Sequence, residues 1–119
     1  MLIERRKDVR RKGGEYMRVT DNITGELVGY ITEISLGGFR LECPHALAVE
    51  EDHTLRLENT SEVKEKPYIV LVARTRWIQP DPVMPNEYVQ GFQIVSMAPS
   101  EQEIYQSIVD NYGLPKHNY

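Results

Sequence analysis

The 119-residue sequence predicts an all-β fold, a small six-stranded antiparallel β-barrel followed by a C-terminal α-helix. Three observations carry this. Apolar and polar residues alternate in short runs, turn-forming residues separate those runs, and only the final stretch changes to a helical period. Glu15 to Thr20 alternates as a half-buried strand, and Asp21 to Glu26 supplies a hairpin turn whose Gly25 can take positive φ. Leu27 to Ile34 is a second strand, running into Ser35-Leu36-Gly37-Gly38, where paired glycines imply a tight turn or a close backbone approach. A third strand, Phe39 to Glu42, stops at Cys43-Pro44.

After a loop from Pro44 to Asp52, His53 to Glu58 alternates again, and Asn59 to Lys66 reads as a solvated connection. Pro67 to Ile78 is apolar enough to be covered on both faces over part of its length, which makes it the best core candidate. Pro80, Pro82 and Pro85 predict an exposed loop before a last strand, Glu87 to Val95. Ser100 and Glu103 resemble a capping box, with Ser100 as N-cap, and Ile104, Ile108 and Val109 recur at helical spacing up to a stop near Gly113. Short antiparallel strands of this number favour closure into a barrel, which removes exposed edges. Residues 1–112 are expected to form one domain and 113–119 a tail.

Composition narrows the function. A formal net charge of −4 argues against a protein that coats nucleic acid over its whole surface. Yet six of the 14 Lys and Arg residues (Arg5, Arg6, Lys7, Arg10, Arg11 and Lys12) fall in one segment opposed only by Asp8. The single cysteine, Cys43, excludes an internal disulfide and is expected to be buried and inert. His45, His53 and His117 match no zinc spacing and read as surface residues, so no metal site is expected. Met1-Leu2-Ile3 turns at once to charge and no segment approaches a membrane span of about 18 apolar residues, so a cytoplasmic protein is expected. Ser35 lacks a nucleophile elbow and the carboxylates form no pair that can be placed across a cleft, so no enzyme is expected.

Two motifs stand out: Arg6-Lys7-Asp8-Val9-Arg10, and Glu33-Ile34-Ser35-Leu36-Gly37-Gly38 at a strand-to-turn junction. In order, spacing and surrounding strands they resemble the PilZ family, which carries an Arg-x-x-x-Arg element ahead of its barrel and an (Asp/Asn)-x-Ser-x-x-Gly element on it. The resemblance extends to Trp77, to the strand Tyr88-Val89-Gln90-Gly91-Phe92 and to the final helix. It implies a receptor for cyclic di-GMP, which is a ligand rather than a cofactor. The residue types suit such a ligand, because arginine forks bind phosphate, donate to guanine O6 and N7, and stack on bases.

Carried over, the resemblance places Arg6 and Arg10 on phosphate and guanine. It sets the turn from Glu33 through Ser35, Gly37 and Gly38 against a guanine edge, with Gly38 allowing close approach and Arg5 stacking on a second, self-stacked ligand. Glu33 departs from the family's Asp or Asn: its extra methylene moves the carboxylate by about an ångström and adds a bond to order. Trp77 reads as core, and Arg74 and Arg76 as neighbours on one face that snorkel. The expected mechanism is ligand-induced ordering of the basic arm, with output through a protein partner that meets the Pro80 to Pro85 loop or the helix. Two alternatives stand beside it: an interaction module that has lost nucleotide binding, and a small nucleic-acid-binding barrel. Homodimerisation is left open.

Overall fold

The computed structural model describes residues 17–58 and 68–112. The basic arm, the connection 59–67 and the tail 113–119 lie outside the described residues, as do Glu15, Tyr16 and the Gly113 stop. Six strands and one helix follow the expected order: β1 (Arg18–Asp21), β2 (Leu27–Ser35), β3 (Gly38–Cys43), β4 (Asp52–Glu58), β5 (Tyr68–Pro80), β6 (Tyr88–Met97) and α1 (Pro99–Tyr112). The strands close into an antiparallel barrel in the order β1, β2, β3, β6, β5, β4. Closure makes each strand pair on both sides.

The barrel interior is filled from alternate positions of every strand. Val19, Ile31, Leu41, Leu55, Leu57, Leu71 and Phe92 are buried, and the Phe39 and Phe92 rings stack with centroids 5.4 Å apart. On β5 only Ile69, Leu71, Ala73 and Thr75 are fully buried and their neighbours are half-buried or exposed, so the expectation of a strand covered on both faces gives way to ordinary alternation. Helix α1 docks against β5 and β2, with Tyr105 and Ile108 inserted into the core.

The helix start differs from the expected capping box. Glu101 and Gln102 both donate their N–H to Ala98 O, so Ala98 is the N-cap and Pro99 occupies the first helical position. Proline is suited there, because its φ is already helical and its missing N–H would have had no helical acceptor. Ser100 therefore lies inside the helix. Glu101, not Glu103, stands at the third position, where its buried carboxylate accepts the N–H of Val70 at 2.8 Å. The proline-rich connection is also tighter than expected: β5 runs through Pro80, and the buried Asp81 carboxylate accepts the N–H groups of Val83 and Met84. No helix among the described residues is long and apolar enough to cross a membrane.

Candidate functional site

The turn between β2 and β3 holds half of the signature. Ser35 and Gly38 face each other across the hairpin end, leaving Leu36 and Gly37 exposed at its tip. Ser35 is 3% exposed, and its hydroxyl donates to Gly38 O at 3.4 Å, long for a hydroxyl bond. A Cβ on Gly38 would collide with the Phe92 carbonyl, so the close approach that requires this glycine is that of strand β6. Gly37 has open space around it and does not adopt positive φ. From the other side the Tyr105 hydroxyl donates to Ser35 O at 2.6 Å, with Gly38 O at 3.2 Å as a second acceptor. The corner is thus bound to both β6 and α1.

Beside the corner, on the outer wall, four residues stand in one cross-strand row. Glu33 pairs in register with Arg40, Arg40 with Gly91, and Gly91 with Trp77. Two irregularities create this row. Without them, alternation from Ile31 and from Thr75, both buried, would turn residues 33 and 77 inward. Register shifts between Ile31 and Glu33 and between Thr75 and Trp77 turn both outward instead. Trp77 is therefore half-buried on the wall, contrary to its reading as core, and its indole lies over Gly91, where a Cβ would strike it.

Charges on the wall are matched. The Arg40 guanidinium donates to the Glu33 carboxylate, and these side chains keep 26% and 19% of their surface exposed. Arg74 and Arg76 share the outer face as expected. Arg74 donates to Asp52 at 2.7 Å, and Arg76 pairs with Glu50 at 3.6 Å and donates to Gln93 at 2.9 Å. The Arg74 guanidinium holds the Asp52 carboxyl below the usual carboxylate range. Glu33, Ser35, Gly37 and Gly38 are gathered within one hairpin, whereas Arg5, Arg6 and Arg10 lie outside the described residues.

Residues 4–111 match the family model of the PilZ domain. The chain belongs to the PilZ domain family. Among solved structures, the Bacillus subtilis inhibitor of motility MotI/DgrA superposes with a TM-score of 0.60 at 17% identity, over 80% of this chain and 45% of that one. The PilZ domain of YcgR from Escherichia coli, solved with c-di-GMP, gives 0.61 at 14% identity over 82% and 80%. PlzA from Borreliella burgdorferi, in complex with c-di-GMP, gives 0.53 at 14% identity over 94% and 49%. The chain spans less than half the length of MotI/DgrA and PlzA, and at these identities the likeness is one of fold. Among curated proteins no sequence matches it.

Several residues of this PilZ domain that sequence reasoning passed over take structural or charged roles. Gln90 is fully buried at one end of the barrel, where its side chain accepts the N–H of Leu47 and donates to His45 O, pinning the β3–β4 loop. Burial pushes the neighbouring Cys43 thiol up to about 12, against the effect of a hydrogen bond from Gln90, consistent with an inert cysteine. His53 is half-buried rather than fully exposed: its ring meets Phe92 edge-on with centroids 6.5 Å apart, and its buried Nε2 has no hydrogen-bond partner among the described residues. The carboxylates of Glu42, Asp81 and Glu87 converge to within 4.8 Å of one another, a grouping the sequence did not reveal. Tyr105 and Arg40 adjoin the signature together with the β6 backbone from Phe92 to Ile94, and all are placed there by tertiary packing.

Proposed function

We propose that this PilZ domain is a cyclic di-GMP receptor that works as an adaptor rather than an enzyme, in the cytoplasm. Family membership over residues 4–111, which includes the arginine segment, supports the ligand class. The observation that carries the reading to a site is the outward placement of Glu33, in a row with Arg40 and Trp77 and beside the exposed Gly37 tip. Glu33, Ser35, Gly37 and Gly38 form the barrel side of the site, and Arg5, Arg6 and Arg10 close it from the arm.

Chain length permits that closure. Arg10 precedes Met17 by seven residues and Arg6 by eleven, so the extended arm can reach at most roughly 25 Å and 40 Å at about 3.5 Å per residue. The arm leads into β1, the strand adjacent to β2, so these lengths exceed the few strand spacings, of about 4.8 Å each, between β1 and the wall. Arginine forks then meet the two phosphates, and the ordered arm presents a new surface to a protein partner.

Calorimetric titration with cyclic di-GMP tests this. Binding with a dissociation constant in the micromolar range or tighter, lost on Arg6→Ala and Arg10→Ala, is the expected result. No heat at tens of micromolar ligand would favour a second reading, an interaction module without nucleotide, for which the engagement of Glu33 by Arg40 is the supporting observation.

A further inference from the structure

We infer that Arg40 is a base-reading residue, and that the Glu33–Arg40 pair selects guanine over adenine as a unit. The inference rests on the receptor reading above and adds a specificity determinant outside both halves of the signature. Glu33 and Arg40 face each other directly across β2 and β3, both turned to the outer wall, and the carboxylate accepts from the guanidinium. A donor and an acceptor therefore stand side by side at one height on the wall, both partly exposed.

That arrangement complements one base edge. Guanine presents the O6 acceptor next to the N1–H and N2 amino donors, so a guanidinium can donate to O6 while the adjacent carboxylate accepts from N1–H and the amino group. Adenine presents an amino donor at the position of O6 and an acceptor at N1. Both contacts are then inverted, donor against donor and acceptor against acceptor.

The pair also accounts for a carboxylate beside an anionic ligand. A lone Glu33 near two phosphates would be repelled, whereas the Arg40 charge cancels it at contact distance. The longer glutamate can span to the opposite strand, which gives the departure from Asp or Asn a physical use. Gly91, the next residue in the row, has no side chain, so no side chain of β6 stands between Arg40 and the Trp77 indole.

The test compares cyclic di-GMP with cyclic di-AMP, by calorimetry or by the fluorescence of Trp77, the single tryptophan. Wild type is expected to prefer the guanine ligand. Arg40→Met, which keeps an unbranched apolar stem, uncovers Glu33 against the phosphates of both ligands alike and should lower the guanine-to-adenine ratio roughly ten- to a hundredfold, the size expected for one good base contact. Arg40→Lys keeps the charge without the fork and should lower the ratio less; if the methionine variant does not fold, the lysine variant carries the test. A guanine-to-adenine ratio equal to wild type in a folded variant overturns the inference while leaving the receptor reading intact. Failure of wild type to bind cyclic di-GMP overturns the receptor reading, and this inference with it.

Discussion

Strand β2 ends in two hairpin turns that are built on different principles. The turn before it, between Asp21 and Leu27, takes its bend from its own residues: the Asp21 carboxylate accepts the N–H groups of Ile23 at 2.7 Å and Thr24 at 3.0 Å, and Gly25 takes φ 79°, while β4 adds one anchor at Asn22, which donates its N–H to Thr54 O and accepts from Arg56. The turn after it, Ser35 to Gly38, is held from elsewhere, by the Tyr105 hydroxyl on α1 and by the backbone of β6 pressed against Gly38. A turn whose bend is set by its own carboxylate and glycine depends mainly on local residues. A turn clamped by distant elements instead ties its shape to the whole fold, which suits a corner that must hold one geometry beside a ligand.

The sharpest attempt to break this contrast is Gly38→Ala. Its methyl group would meet the Phe92 carbonyl, so β3 and β6 must separate, and a loss of about 3 kcal/mol is expected in urea unfolding. Tyr105→Phe removes the hydroxyl that serves two buried carbonyls and should cost about 1–3 kcal/mol, read from the same transition. Gly25→Ala should cost about 1–2 kcal/mol for a side chain at positive φ, with no contribution from crowding, because nothing lies near its Cβ position. Gly37→Ala is predicted to leave stability within about 0.5 kcal/mol of wild type and yet to weaken cyclic di-GMP in calorimetry, because its open side faces the proposed ligand.

The smallest effect concerns acid. Hydrogen bonds from the Thr24 and Ile23 backbone hold the Asp21 carboxyl below its ordinary value of 3.8. A carboxyl lowered in the folded state stabilises fully above its unfolded value and loses that contribution as pH falls through the folded one. An NMR titration of Asp21 should show a midpoint below 3.8, and Asp21→Asn should be less sensitive to acidification below that pH.

The same contrast shows what could be read from the sequence. Asp21 to Glu26 was legible because both its capping carboxylate and its positive-φ glycine are written within six residues. Strand positions were legible because a barrel with one buried face imposes a period of two. Trp77 and Glu33 broke that rule, since a bulge adds one residue and reverses the alternation beyond it, and no composition signal marks where the ladder slips. The serine and glycine of the signature could be located, but not the Tyr105 hydroxyl 70 positions downstream of Ser35. At the helix start, Ser100 and Glu103 imitated a cap, and the fixed φ of Pro99 set the N-cap two residues earlier, at Ala98.

Among the described residues every strand of the ring has a paired neighbour on each side, so none offers a whole unpaired edge to a visitor. A partner of this barrel consequently finds no full-length edge for the generic handshake of strand addition. Recognition has to be negotiated through side chains, loops or the helix, where each contact is specific to this sequence.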